Sequence, residues 1–159
     1  MRMIIKPAVI GACILGVLFS GSLAARDIHI PGDVSSLEAA MEYALGGDRI
    51  IMAPGHYHVR NVGLVGGITI IGDVDDPGQV ILNAQNLDRV LTAENVSQVT
   101  LSGLTLTGGR ADGPTFWDRS GGALMVSNSD VTLDTVHVLD NTALAHGGGV
   151  QVLWGSLTA

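Results

Sequence analysis

Residues 110–120, which read RADGPTFWDRS, concentrate the side chains best suited to holding a sugar. The stretch interrupts two otherwise similar repeats, so we expect a loop that leaves a more regular scaffold, where binding residues are often found. An aromatic face beside carboxylates and guanidinium groups suits a sugar ring, which has apolar faces and hydroxyl edges. The alternative is that the aromatic side chains only cover the outside of the fold. The predicted substrate-binding residues are Trp117, Phe116, Asp118, Asp112 and Arg119.

A second group of residues could support general acid–base chemistry. When the repeat that begins at Val131 is aligned with the one that begins at Val99, a carboxylate and an imidazole face outward on one strand. The loop of residues 110–120 leaves just after the earlier strand, so its charged residues could share a groove with them. Outward rows of Thr, His and Asp are also ordinary on repeat proteins. The catalytic candidates are Asp134, His137 and Arg110.

Two short clusters have residue types that bind metals. Asp73, Asp75 and Asp76 form an oxygen-rich turn of the kind that can hold calcium, although the EF-hand pattern is missing. An Asp-Pro-Gly turn is also commonly structural. His56 and His58 point to the same side of a strand, but no third ligand is evident nearby. Nothing in the sequence requires a cofactor. If a metal ion binds, the aspartate cluster makes calcium the candidate.

The elements that must position these residues are short repeated strands. The strings VLTAENVSQVTL, ALMVSNSDVTL and VQVLWGSLT each read as a strand, a polar turn and a second strand. Apolar residues alternate with polar ones in the second strands, which predicts one buried and one outward side. Alignment of the repeats pairs Asp134 with Ser102 and His137 with Thr105.

Units of this size cannot bury their own apolar face, so they must stack. Stacking pairs each strand with its copy in the next unit and predicts an all-β, right-handed parallel β-helix. A β-sandwich is the competing architecture, but it would favour hairpin turns and leaves the repeated VTL register unexplained. The core is predicted to contain Val99, Leu101, Val131, Leu133 and Val136.

A helix precedes the strands. The Ser35-Ser36-Leu37-Glu38 run fits a capping box, and apolar residues follow at helical spacing. Gly46-Gly47 supplies a C-terminal stop. We expect this helix to cover the open end of the first coil with an apolar face formed by Leu37, Ala40, Met41, Ala44 and Leu45.

The first 24 residues have the three parts of a secretory signal peptide: cationic start, apolar run and small residues before the cut. The apolar run is short for a membrane anchor, so cleavage after Ala24 would leave no transmembrane span and a β-helix domain over residues 25–159. Cys13, the only cysteine, would leave with the signal. The net charge of −7 argues against nucleic acid as a partner, because nucleic-acid binding needs a basic patch. The expected location is secreted or at the cell surface.

From about residue 35 to its end, the chain resembles the right-handed parallel β-helix proteins of the pectin-lyase-like superfamily. The resemblance rests on the strings SLEAAMEYALGGDRIIMAPGHYHV, GGITIIGD, VTLSGLTLTGG, GGALMVSNSDVTL and LDNTALAHGGGV. The later units resemble the repeats of polymorphic outer-membrane-type surface proteins, with Val138 or Leu139 in place of the usual phenylalanine. The superfamily includes lyases, hydrolases, esterases, epimerases and adhesins, so the resemblance implies the fold and leaves the activity open.

Two readings of function follow. The first is an exported repeat domain that binds a partner, with polysaccharide as the candidate. The second is a polysaccharide-active enzyme, such as a lyase or hydrolase acting on uronic-acid polymers. The chain departs from the enzymes of the superfamily, because the polygalacturonase signatures are absent and no lysine follows Lys6.

The last strands, in residues 150–159, repeat the earlier units without a polar cap after them. An uncovered apolar edge templates further strand pairing. We therefore expect the domain to be incomplete at its C-terminal end or to self-associate through this edge.

Overall fold

The computed structural model describes residues 24–159, so the predicted signal segment and Cys13 lie outside the described residues. The chain is dominated by β-strands, and every strand pair in the described range is parallel. Parallel strands in stacked sheets are what the repeats predict, and they are compatible with a β-helix. Hairpins, which a β-sandwich would favour, do not occur among these pairs.

The strands fall into three sheets. In chain order they are β1 (Asp27–Ile30), β2 (Arg49–Met52), β3 (Gly55–His58), β4 (Val62–Gly63), β5 (Thr69–Ile71), β6 (Val80–Asn83), β7 (Leu91–Glu94), β8 (Val99–Thr107), β9 (Arg110–Ala111), β10 (Leu124–Ser127), β11 (Asp130–Leu139), β12 (Thr142–Ala143), β13 (Val150–Leu153) and β14 (Ser156–Thr158). The largest sheet runs β1-β2-β5-β8-β11-β14, with β6 joining β3 to β8. A four-stranded sheet runs β13-β10-β7-β4, and β9 pairs with β12.

The predicted register between β8 and β11 is confirmed. Val131 pairs with Val99, Asp134 with Ser102 and His137 with Thr105. The register holds because a one-residue slip would turn the apolar side of the strand out to solvent.

Strand β8 is one continuous element of nine residues. It pairs with β5 before Gly103 and with β6 after it, so a single strand borders two neighbours. Gly103 has φ +64, and a Cβ there would lie 2.5 Å from the carbonyl carbon of Asp73. Glycine is therefore needed at this point, both for the backbone conformation and for the close approach of the turn that follows β5.

The core lies between the sheets and follows the predicted alternation in part. Val99, Leu101 and Val131 are buried. Leu133 and Val136 pack against the core but are only partly buried. Because β14 pairs with β11 only over Asp130–Thr132, Leu133 has no strand neighbour on that side.

The predicted helix is α1 (Leu37–Tyr43), shorter than expected. Its N-cap is Ser36, whose side chain accepts from the backbone N–H of Ala39, so the capping box proposed from Ser35 is wrong by one residue. Leu45, assigned to the apolar face, is 46% exposed because the helix ends before it. The helix contacts β1 and β4, the first strands of the two larger sheets.

The helical segments of residues 24–159 are α1 and two single 3-10 turns, Pro77–Gln79 and Trp117–Arg119. None has the length and hydrophobicity that a bilayer span requires.

Asp48, which follows the helix, ties Arg26, the residue before β1, to the turn that leads into β2. It is 3% exposed, and its carboxylate accepts from the backbone N–H and the guanidinium of Arg26, with Nη2 at 2.6 Å. It also accepts from the backbone N–H of Leu45. The side-chain bond to Arg26 is the main cause that lowers the pKa of Asp48 from 3.8 to about 2.

This pKa predicts an acid-sensitive fold. A lowered folded-state pKa gives stability that is present above the unfolded value and is lost as the pH falls through about 2. Between pH 4 and 2 we expect Asp48 to account for about 1–2 kcal/mol of the fall in unfolding free energy, since half-exposed Arg26 is partly screened by solvent.

Denaturant unfolding of Asp48→Asn at several pH values checks this prediction. The variant should be less stable at pH 7 and lose less stability on acidification than the unaltered chain. Asp27→Asn, which removes an exposed ion pair with Arg49, is the control. Its unfolding free energy should depend on pH as steeply as that of the unaltered chain. Equal slopes in all three proteins would contradict the role given to Asp48.

Candidate functional site

Residues 112–120, here called the aromatic loop, connect β9 to β10; the predicted loop began at Arg110, but Arg110 and Ala111 form β9, which pairs with β12. The aromatic loop is folded by its own polar groups: Asp118 Oδ2 accepts from the backbone N–H and the hydroxyl of Thr115, the latter at 2.6 Å. These bonds lower the pKa of Asp118, so the carboxylate is ionised at neutral pH. Arg119 donates from Nε to the carbonyl of Gly113. The loop is therefore an ordered element that can hold side chains in fixed positions.

Arg89 fastens the aromatic loop to the scaffold. It is 6% exposed, and its guanidinium donates to the carbonyl oxygens of Trp117, Ser120 and Gly121 and to the hydroxyl of Thr92. Burial lowers the pKa of Arg89, but from an ordinary value so high that the group remains charged. Arg89 was not among the predicted site residues, and its neighbours in the sequence carry no motif that would have identified it.

Two adjoining cavities separate the aromatic loop from the sheet, and together they are called the loop groove. The larger has a volume of about 390 Å³, within the range of small-molecule sites. The smaller, of about 180 Å³, lies between Trp117 and the outer face of the four-stranded sheet. Both are lined by Asn61, Arg89 and Asp118. The larger also includes Asp88, Arg110 and Asp112, and the smaller includes Thr92, Glu94 and Met125.

Exposed aromatic rings continue from the groove across the surface, forming what we call the aromatic platform: Phe116, Trp117, His146 and Trp154. Trp117 is 40% exposed and Trp154 is 75% exposed, with ring centroids 5.8 Å apart and planes tilted by 48°. Phe116 lies edge-on to Trp117 and 5.4 Å from the ring of His146. The rings present apolar faces to solvent beside a polar groove.

Trp154 was not among the predicted binding residues. It has φ +52, a left-handed conformation that is unfavourable for a bulky side chain. The strand register places Asn95 and Asn128 at the same turn in the two preceding units, also with positive φ. Asparagine tolerates this conformation, so a tryptophan in its place is a costly choice of the kind that clusters at functional sites.

The structure brings together some of the predicted site residues. Arg110 forms an ion pair with Asp112, and both line the larger cavity with Asp118. Phe116 and Trp117 belong to the aromatic platform. Arg119 belongs to the loop but lines neither cavity.

The catalytic candidates on β11 lie elsewhere. Asp134 accepts from the hydroxyl of Ser102 at 3.0 Å, and His137 pairs with Thr105 in the eight-stranded sheet. Neither lines a cavity of the loop groove. The carboxylate and imidazole therefore do not share these cavities with Arg110.

The metal candidates have local partners. Asp73 Oδ1 accepts from the backbone N–H groups of Asp75 and Asp76, and Asp76 caps the 3-10 turn at Gly78. Across residues 24–159, no three His, Cys, Asp or Glu side chains converge in a way that could hold a metal ion. Calcium at the aspartate cluster stays a prediction of the sequence. The histidine pair, His56 and His58, lies on β3, where both side chains are exposed.

Chemically, the loop groove and the aromatic platform combine apolar faces with carboxylate, amide and hydroxyl groups.

No known protein family matches the chain, and neither a curated protein nor a solved structure matches it.

Proposed function

We propose that the chain is an exported right-handed parallel β-helix domain that binds polysaccharide through the loop groove and the aromatic platform. The observation that carries the proposal is the position of Trp117. Its half-exposed ring forms one wall of a polar cavity and adjoins a second exposed tryptophan. Apolar pyranose faces stack on aromatic rings while hydroxyl groups bond to neighbouring polar side chains.

The scaffold suits this role. Each long strand pairs in parallel with its counterpart in the next unit, and α1 packs on the first strands of both large sheets. A stack of this kind supports a β-helix, and it offers an elongated outer surface on which a chain-like ligand can lie. The signal pattern in residues 1–24 supports export to the place where polysaccharides are found.

Binding is favoured over catalysis by the placement of the titratable groups. The polysaccharide-active alternative relied on Asp134, His137 and Arg110 in one groove, and the two β11 residues do not line it. Of the predicted binding residues, Trp117 and Asp118 line the smaller cavity, and Asp112 lines the larger one with Asp118. Self-association through β13 and β14, the end strands of their sheets, stays a prediction.

Removal of either platform tryptophan tests the proposal. Trp117→Ala and Trp154→Ala should each weaken binding about tenfold, because each removes one stacking face worth about 1–1.5 kcal/mol. Titration calorimetry with soluble neutral, amine-bearing and uronate polysaccharides measures the affinity.

Tyr43→Ala is the matched control, since this tyrosine is an exposed aromatic residue at the end of α1. It should leave affinity unchanged. If no polysaccharide binds, or if binding survives both tryptophan replacements unaltered, the proposed function fails.

A further inference from the structure

The charges of the loop groove bear on which polysaccharide it can hold. Its two cavities are lined by two guanidinium groups and four carboxylates, those of Asp88, Glu94, Asp112 and Asp118. The whole chain also has a net charge of −7. A polyanion would therefore meet an unfavourable potential both on approach and within the groove.

The two arginines of the loop groove do not make it favourable for a polyanion. A uronate is best recognised by a guanidinium that offers two parallel N–H donors. Arg89 already donates from Nε and Nη2 to three loop carbonyls, and its Nη1 donates to Thr92. Arg110 is paired with Asp112. Arg110 lines only the larger cavity, so a uronate stacked on Trp117 in the smaller cavity would meet Arg89 alone, and all three nitrogens of Arg89 already donate to protein groups.

The smaller cavity, which contains Trp117, has two carboxylates open to a ligand. Asp118 uses Oδ2 for Thr115, and among residues 24–159 its Oδ1 has no hydrogen-bond partner. Glu94 is exposed on the sheet side of the smaller cavity, and no hydrogen bond or ion pair occupies it within the described range. Both carboxylates line the same cavity as Trp117, so a sugar stacked on the indole would carry its substituents toward them.

We propose that the loop groove selects amine-bearing glycans, such as polymers of glucosamine, over neutral glycans and excludes uronate polymers. This inference rests on the proposed function and adds the charge class of its ligand. An ammonium group on the stacked ring would pair with Glu94, while the sugar face contacts Trp117 and the carboxylate of Asp118 adds to the negative potential of the same cavity. The proposed ligand is cationic, whereas the uronic-acid polymers considered from the sequence are anionic.

The test compares three tetrasaccharides of glucose, glucosamine and galacturonic acid by tryptophan fluorescence of the full chain, excited at a wavelength that tyrosine does not absorb. The chain has two tryptophans, Trp117 and Trp154, so the signal comes from the aromatic platform alone. The glucose and glucosamine tetramers, both β-1,4-linked, differ only in the group at C2. We expect the glucosamine tetramer to bind about fivefold more tightly than the glucose tetramer, and the galacturonate tetramer to bind most weakly.

Glu94→Gln removes one charge and keeps the shape of the side chain. It should weaken the glucosamine tetramer about fivefold and leave the glucose tetramer within about twofold. Glu42→Gln, an exposed change on α1, is the control and should alter neither.

The outcomes separate this inference from the proposed function. Galacturonate binding as tight as glucosamine binding would overturn the charge preference and leave polysaccharide binding intact. An unchanged glucosamine affinity in Glu94→Gln would also overturn it. Failure of all three tetramers, together with the polysaccharide series, would remove the proposed function itself.

Discussion

Replacing Arg89 by Met is expected to lower the unfolding free energy by about 2–4 kcal/mol and to abolish glycan binding. Methionine fills much of the same volume but donates no hydrogen bond. The carbonyls of Trp117, Ser120 and Gly121 would lose their common donor, and the aromatic loop would separate from the sheet to regain water. The loss of unfolding free energy is smaller than for a truncation in the closed core, because the loop can open and return its carbonyl groups to water.

Denaturant unfolding measures the loss of stability, titration calorimetry with polysaccharide measures the loss of binding, and limited proteolysis shows whether the aromatic loop is released. The variant should be cut within residues 112–120 before the rest of the chain is digested. Arg110→Met is the matched control, because its half-exposed ion pair should contribute at most about 1 kcal/mol. Similar small effects from both replacements would show that Arg89 does not hold the loop.

The largest loss of stability is expected from Leu101→Ala. Leu101 is fully buried, and the strand register stacks it between Ile70 and Leu133 of neighbouring strands. Truncation of a leucine in such a site costs about 3–5 kcal/mol, because the cavity cannot collapse between fixed strands.

Three alanine variants of decreasing burial check that Leu101 is stacked between neighbouring strands. Leu133→Ala should cost about 1–2 kcal/mol, because Leu133 is only partly buried, and exposed Thr132→Ala should be close to neutral. Chemical denaturation of the three variants gives the order. A cost at Thr132 equal to that at Leu101 would contradict the orientation of the strands.

Much of the scaffold was predictable from residue spacing. The repeated VTL string aligns Val131 with Val99, and the alternation excludes a one-residue slip because such a slip would turn the apolar face outward. The helix near residues 35–45 and the loop at residues 110–120 were also found, because each breaks the two-residue period. The capping residue of the helix was misplaced by one position, since two adjacent serines offer equivalent side chains.

The site was predictable only in part, because it depends on contacts between distant segments. Register shows which residues neighbour one another across strands, but not which sheet face a loop folds over. The path of the aromatic loop is set by Arg89, some thirty residues earlier in the chain. The loop consequently meets Glu94 and Thr92 of the four-stranded sheet rather than Asp134 and His137 of the other.

Trp154 was missed for a different physical reason. Its position matches Asn95 and Asn128 in the repeat, so the pattern predicts a turn residue and no more. Its contact with Trp117 arises from the left-handed turn that directs the side chain beside the loop. A substitution of asparagine by tryptophan at a repeated turn is a signal that could be sought in other repeat sequences.

Chemical modification of tryptophan tests polysaccharide binding at the aromatic platform most directly. N-bromosuccinimide oxidises exposed indoles, and both indoles of this chain lie in the platform. We expect both to be oxidised in the free protein and both to be protected by a saturating concentration of the glycan that binds most tightly. A glycan that binds while both indoles remain as reactive as in the free protein would contradict the account.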